Sequence, residues 1–338
     1  MLGVVFSILS AAAFALNNAT VRRGVVTGTP VQAMAITIPI GVLCFLPALL
    51  WPGELNRLLQ FSTHAAAWMA GFGAVHFVFG RFCNFKANQV AGVNLTAPVI
   101  QLQVVVTMVL AVIILGEPCT VLQTIGGIVM LAGSLITQRR PRTPSATTNA
   151  SGANASGLAS NKPAPAIFTP RRLLGYLFAS LAALAYGTSP ILARFALENT
   201  GPATGVLGGL IAYTSATAIA GLALFAPPIR RNIGTLRRGN VGWFVSSGVL
   251  VAAAQGFFFC AIALAPVLLV MPLMQLSLAF RMLFSTWLTP DHEIFGSLVA
   301  AGAAISISGA LLVSIDTGFI VDTLAIPGAL GDILRWRI

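Results

Sequence analysis

The residues of this sequence that could do chemistry are polar side chains inside long apolar runs. Carboxamides, a hydroxyl and guanidinium groups can bind a polar or anionic solute through hydrogen bonds and charge. A polar group at membrane depth usually faces a cavity or another helix, so we predict a substrate-binding cavity, with cross-helix hydrogen bonding as the alternative for the two asparagines. The predicted binding residues are Asn17, Asn18, Arg81, Asn84, Gln101, Ser189, Gln255, Gln275 and Arg281.

Two of these residues follow a proline at the same distance. Gln101 lies three residues after Pro98, and Gln275 lies three residues after Pro272. A proline inside a helix removes one backbone hydrogen bond, so we predict a helix break or hinge at both prolines. The two glutamines could therefore satisfy freed carbonyl groups instead of lining a cavity.

Other polar residues favour structural roles. His76 is predicted to pack at a helix interface, and Arg281 lies close enough to a helix end to reach the membrane surface. Glu117 and Glu293 each precede an apolar run, where a carboxylate can cap the N-terminus of the next helix. Arg81 lies in the middle of an apolar run. A charge at such a position costs about 3 kcal/mol in a membrane, which favours a ligand or gating role.

The acidic residues all lie outside the middle of the apolar runs: Glu54, Glu117, Glu198, Asp291, Glu293, Asp316, Asp322 and Asp332. Carriers driven by protons usually place an acid within the membrane. Coupling through a carboxylate is therefore disfavoured, and Arg81 and Arg281 predict a positive site. The sequence has no nucleophile–base pair, no metal-ligand cluster and no phosphate loop, so we expect neither enzyme activity nor a cofactor or metal.

Composition sets the class of protein. Of 338 residues, 57% are hydrophobic and 8% charged, against about 25% charged in soluble domains. A soluble core could not bury so much apolar surface with so little polar cover, so the sequence indicates a multi-pass membrane protein. The net charge of +11 comes from residues flanking apolar runs, which favours membrane lipid over nucleic acid as partner.

Apolar runs of about 20 residues cross a bilayer as helices, and turn signals divide the chain into ten of them. The predicted spans are 2–22, 30–51, 64–86, 93–115, 119–137, 174–196, 202–226, 241–264, 267–288 and 294–314. The segment 138–172 is basic and rich in Ser, Thr, Asn, Pro and Gly, which predicts a disordered linker. The tail 315–338 ends in Arg335-Trp336-Arg337, typical of an interfacial segment.

The two halves repeat each other. A glutamate is followed by glycines at +9 and +16 in both halves, with a constant offset of 176 residues between Glu117, Gly126, Gly133 and Glu293, Gly302, Gly309. Five spans per half give the halves opposite orientations. The predicted fold is an all-α membrane protein of ten transmembrane helices in two inverted five-helix repeats, residues 1–137 and 173–314.

The repeated segments resemble a known family. FALNNATVRR, YGTSPILARF and the Pro–Glu–Gly–Gly patterns of both halves are similar to the EamA family of the drug/metabolite transporter superfamily. The resemblance covers about residues 2–137 and 174–314. It implies a ten-helix bundle around a central cavity and export or exchange of a small metabolite or drug. The superfamily's small multidrug proteins use a glutamate in the first helix, where this sequence has Asn17 and Asn18.

Three functions are compatible with these features. The favoured one is a secondary carrier in a bacterial inner membrane, moving a small polar metabolite, preferably an amino acid or organic acid, by alternating access. The alternatives are a proton-coupled multidrug exporter and a non-transporting scaffold or lipid-binding protein. The 17 arginines against 2 lysines suggest a GC-rich bacterial genome. The expected partners are a small-molecule substrate and membrane lipid, with the chain a monomer or homodimer.

Membrane orientation receives two opposite predictions. Thirteen basic residues follow the odd-numbered spans, including six in the linker, and four lie on the other side. The positive-inside rule therefore places the linker in the cytoplasm and both termini outside. The family resemblance implies that both termini are cytoplasmic.

Overall fold

A computed structural model describes most of the chain. The described residues are 2–25, 28–91, 93–138, 171–277, 279–280, 283–284, 297–314, 317–323, 326 and 328–337. Most of the predicted linker, residues 139–170, lies outside them. Within this part of the chain the secondary structure is helical, and the one β-type contact is an isolated bridge between Thr120 and Arg337.

Eight α-helices lie in the first half of the described chain: α1 (Leu2–Val25), α2 (Pro30–Phe45), α3 (Glu54–Leu59), α4 (Thr63–Phe72), α5 (Arg81–Ala91), α6 (Val93–Gln101), α7 (Gln103–Leu115) and α8 (Val121–Gln138). A 3-10 turn, Leu46–Leu50, extends α2. A π-helical segment, Gly73–Gly80, joins α4 to α5.

Eight more follow in the described second half: α9 (Arg172–Leu197), α10 (Pro202–Ala223), α11 (Pro227–Gly234), α12 (Arg238–Leu264), α13 (Val267–Met274), α14 (Ser297–Ser314), α15 (Thr317–Thr323) and α16 (Gly328–Arg335). The tail is tied to the start of α8, because the Val121 backbone N–H donates to the Trp336 carbonyl at 3.0 Å and the Thr120 and Thr317 hydroxyls lie 2.7 Å apart.

Five described stretches are long and apolar enough to cross a membrane: Pro30–Leu50, Pro98–Leu115, Arg172–Leu197, Pro202–Ala223 and Arg238–Leu264. Three shorter apolar stretches are Leu2–Asn17, Val121–Gly133 and Ala301–Val313. Together they describe a multi-pass helical membrane protein. The exposed faces of these helices carry large apolar side chains such as Leu43, Ile113 and Ile128, which suits contact with lipid.

Both predicted proline breaks coincide with helix interruptions. Helix α6 contains Pro98 and ends at Gln101, and α7 begins two residues later. Helix α13 contains Pro272 and ends at Met274, directly before Gln275. The missing N–H of each proline weakens the helix around it, so the chain can change direction within the following turn.

The repeated glycines form the contact between α8 and α14. A Cβ added to Gly133 would lie 2.6 Å from the Gly302 carbonyl oxygen, and one added to Gly309 would lie 2.6 Å from the Gly126 oxygen. Such distances leave no room for a side chain. The glycines therefore let the two backbones touch, which is how small residues stabilise helix pairs in membranes.

This contact yields a stability prediction. Gly309→Val should lower the free energy of unfolding by about 2 kcal/mol, because the two valine methyl groups force α8 and α14 apart. Gly242→Ala is the matched control: nothing lies within 4 Å of a Cβ at Gly242, and alanine favours a helix by up to about 1 kcal/mol over glycine. Thermal unfolding in detergent measures both. Equal melting temperatures for Gly309→Val and the parent would contradict the close packing.

Candidate functional site

A cavity of about 340 Å³ lies among helices from both halves, lined by residues of α1, α2, α5, α7, α9, α12 and α13. Binding sites for small molecules are usually clefts of about this size or larger, apolar with a few polar groups. This volume suits a metabolite of modest size.

Five of the nine predicted binding residues line this cavity: Asn17, Arg81, Asn84, Gln255 and Gln275. They come from three different helices, α1, α5 and α12, and from the residue that follows α13, so only the tertiary fold brings them together. The side chain of Asn18 and all of Arg281 lie outside the described residues.

The other two predicted residues take different places. Ser189 lies behind the cavity wall, fully buried. Gln101 is outside the lining, and its Nε2 atom is buried without a hydrogen-bond partner among the described residues. Gln103 lines the cavity instead. Gln101 and Gln103 are two residues apart, about 200° around a helix, so their side chains face opposite sides of the stretch Pro98–Leu115.

Arg81 brings a positive charge to the cavity. It is the first residue of α5, directly after the π-helical segment, whose wider turn shifts the facing of the residues that follow. Its Nη1 donates to the Thr37 hydroxyl at 3.2 Å, and its guanidinium carbon lies 5.5 Å from the Phe77 ring centre. Among the described residues no carboxylate forms an ion pair with it. The charge is therefore available to a ligand.

His76 connects the two halves through directed hydrogen bonds. The Ser189 hydroxyl donates to the Tyr186 carbonyl at 3.1 Å, so it accepts from His76 Nδ1, 2.7 Å away. The Nε2 atom then accepts from the Gln255 amide at 3.2 Å. His76 also lines the cavity and stacks on Phe72, with ring centres 4.9 Å apart. The predicted packing role is thus incomplete, because His76 also holds Gln255 at the cavity wall.

The remaining polar lining is neutral. Ser247 donates to Asn17 Oδ1 at 2.7 Å, which links α12 to α1. Asn84 Nδ2 approaches the Tyr186 hydroxyl at 3.5 Å, and Asn88 Nδ2 donates to Asn84 Oδ1 at 3.0 Å.

Large apolar side chains form the rest of the wall: Phe14, Phe85, Phe258, Met271 and Met274. Next to them an aromatic cluster fills the core, with Phe77 stacked on Tyr213 at 4.2 Å and Phe72 in edge contact with Phe259 at 5.0 Å. A ligand in this cavity would therefore meet a charge, carboxamides and apolar side chains.

Glu117 caps a helix, although a different one from that predicted. Its two carboxylate oxygens accept from the Val267 and Leu268 N–H groups, each at 2.8 Å, at the start of α13. Arg194 lies 3.9 Å away and also donates to the Ile262 carbonyl at 2.8 Å. The expected helix, α8, follows Glu117 directly in the chain. The fold instead brings the α13 N-terminus, with its free N–H groups, against the carboxylate.

Several lining residues were not predicted from the sequence: Thr37, Gln103, Tyr186 and Ser247. Each is a polar side chain of a type that also occurs elsewhere in the apolar runs, a signal too common to select them. Within the described chain no group of three or more His, Cys, Asp or Glu side chains converges to hold a metal ion.

The hydrogen bonds of His76 predict a measurable effect on substrate affinity. His76→Leu should raise KM about tenfold with little change in kcat, because Gln255 loses the group that orients it. His76→Gln should restore part of the affinity, since a carboxamide can again accept from Gln255. Initial uptake rates in proteoliposomes separate KM from kcat. A fall in kcat alone would contradict a positioning role.

Apolar helices packed around a cavity lined by polar and apolar side chains define a multi-pass membrane protein with an internal cavity. A family model described as the EamA-like transporter family matches residues 1–139. Over these residues the match confirms the resemblance drawn from the sequence. The match indicates a membrane transporter of the drug/metabolite type.

A solved structure described as "Crystal structure of protein" has the same fold. It is 18% identical to this chain, with a TM-score of 0.63 over 96% of this chain and 97% of its own. No curated protein matches the chain.

Proposed function

We propose that this protein is a secondary carrier that moves a small polar metabolite with a carboxylate group, an amino acid or organic acid, across a bacterial inner membrane. The observation that carries this proposal is the position of Arg81. Its guanidinium reaches a cavity between the halves, and the one side chain among the described residues to which it donates a hydrogen bond is the neutral Thr37. A guanidinium binds both oxygens of a carboxylate through two parallel hydrogen bonds.

The proposed architecture is ten transmembrane helices in two inverted repeats. It is supported by the equal spacing of glycines that meet between α8 and α14, and by helix interruptions after both Pro98 and Pro272. Secondary transporters with inverted repeats place the substrate near the membrane midplane between the repeats. The cavity, which is lined by helices of both halves, supports this architecture.

Transport would proceed by alternating access through rocking of the two halves. In the described conformation Glu117 of the first half accepts from the first N–H groups of α13 in the second half and lies 3.9 Å from Arg194 of α9. Rocking that opens this end would break these contacts. Direction of net movement then follows the substrate gradient or an exchanged solute.

The proposal is tested by counterflow in proteoliposomes. Vesicles loaded with an unlabelled carboxylate should transiently accumulate the labelled compound above its external concentration, which only a carrier with a reorienting site produces. A panel of lactate, alanine, phenyllactate and phenylalanine covers both acid classes. Absence of counterflow with every member, with protein shown to be folded and inserted, would contradict the proposal.

The same vesicles separate the alternatives. A proton-coupled multidrug exporter would accumulate a lipophilic cation such as tetraphenylphosphonium when a pH gradient is imposed. A scaffold or lipid-binding protein would transport neither class of compound. The uncompensated charge of Arg81 disfavours a cationic substrate, because like charges repel strongly where water is scarce.

A further inference from the structure

We infer that the substrate carries a carboxylate and no ammonium group, so that it is a hydroxy or keto acid and not an amino acid. This inference rests on the proposed function and narrows it to one of its two substrate classes. The feature that supports it is the charge of Arg81 in a cavity whose other described lining residues are neutral.

A carboxylate bound by Arg81 fixes where an ammonium would lie. In an α-amino acid the ammonium is attached one carbon from the carboxylate, which places it about 5 Å from the guanidinium. Arg81 is half-buried, between Thr37 and the Phe77 ring, so water screens this repulsion poorly. An ammonium at that distance would be repelled by Arg81, and an acid beside it would offset the repulsion.

The described acids are engaged elsewhere or lie on the surface. Glu117 is held by two backbone N–H groups, Glu54 pairs with Arg57, and Glu198 pairs with Arg194. Asp322 pairs with Arg335 in the tail, and Asp332 lies on the tail helix α16. None of these five lines the cavity.

The neutral polar lining suits a hydroxyl or keto oxygen. Gln275, Gln103 and Asn84 all line the cavity, and each carboxamide offers both a donor and an acceptor. A hydroxyl group can donate to one and accept from another, and a keto oxygen can accept from their N–H groups. The apolar lining residues, such as Phe14, Phe258 and Met271, would contact the carbon body of the acid.

Matched pairs of acids test the inference. Lactate and alanine differ only in a hydroxyl in place of an ammonium, and so do phenyllactate and phenylalanine. Isothermal titration of the purified protein in detergent gives their affinities. In each pair the hydroxy acid is expected to bind about tenfold or more tightly, the factor that corresponds to about 1.4 kcal/mol.

Two variants and one control identify the cause. Arg81→Gln should weaken binding of the hydroxy acids and bring both members of a pair to similar affinity. Gln275→Glu adds an acid to the lining and should shift the preference about tenfold toward the amino acid. Arg57→Gln removes a surface arginine that is 61% exposed and should change neither affinity.

The outcomes are distinct. An amino acid that binds as tightly as its hydroxy partner, or more tightly, would overturn this inference and leave the carrier of a carboxylate standing. Failure of all four acids to bind the folded parent protein at millimolar concentration would overturn the proposed function together with this inference. A hydroxy-acid preference that persists in Arg81→Gln would show that the selectivity has another source, and would also overturn it.

Discussion

Arg81→Ala is expected to reduce carboxylate uptake about 100-fold, to the level of vesicles without protein. The lost interaction is a charge-assisted, two-point hydrogen bond in a site of low dielectric, worth about 3 kcal/mol or roughly two orders of magnitude in affinity. Initial rates in proteoliposomes measure the loss. Membrane expression and melting temperature should stay close to those of the parent, because the hydrogen bond of Arg81 to the Thr37 hydroxyl is a single one and half-buried.

A second substitution at Arg81 separates the effect of the guanidinium's shape from the effect of its charge. Arg81→Lys keeps the charge and should recover only part of the flux, because an ammonium cannot reproduce the two parallel N–H groups of a guanidinium. Arg57→Ala is the control, since that arginine lies on the exposed helix α3 and pairs only with Glu54. Unchanged flux in Arg81→Ala would assign Arg81 to structure alone.

Glu117→Ala is expected to produce the largest loss of stability. Two backbone N–H groups at the start of α13 and the Arg194 guanidinium would lose their shared carboxylate in a buried position. Removing one partner of a buried, hydrogen-bonded charge pair costs about 3 kcal/mol or more. For a protein of this size we expect a melting temperature lower by roughly 6 °C in thermal unfolding in detergent.

The matched control shares the same arginine. Glu198 also pairs with Arg194, at 3.2 Å, but its side chain is 49% exposed. Glu198→Ala should therefore change stability by about 0.5 kcal/mol or less, as solvent-exposed ion pairs do. Equal effects of the two substitutions would mean that the bonds from Glu117 to Val267 and Leu268 contribute little.

Glu117 also illustrates where prediction from the sequence stops. Its position before an apolar run correctly indicated a helix cap, because a free carboxylate and unpaired N–H groups attract each other wherever they meet. The sequence could not reveal that the capped helix lies 150 residues further on. The spacing in the sequence predicted that Glu117 caps α8, whereas the packing of the two halves places the N-terminus of α13 beside its carboxylate.

The features of the candidate site also divide into those that the sequence predicts and those that it does not. The length of the apolar runs, the scarcity of charge and the spacing of glycines and prolines are local properties. They determined the membrane class, and they led to the helix breaks after Pro98 and Pro272 and to the EamA resemblance later confirmed for residues 1–139. Arg81 stood out for the same reason, since a charge in an apolar run is costly and therefore rare.

The tertiary structure alone decided which neutral polar residues line the cavity together with Arg81. Gln101 and Gln103 are two residues apart and therefore lie on opposite helix faces, and the packing of the helices decides that Gln103 is the one that lines the cavity. His76 gained its place between Ser189 and Gln255 from the approach of α9 and α12. The direction in which a helical side chain faces depends on the crossing angles and the registers of the packed helices. Contacts between residues far apart in the sequence set both, so the type of a single residue does not reveal the direction.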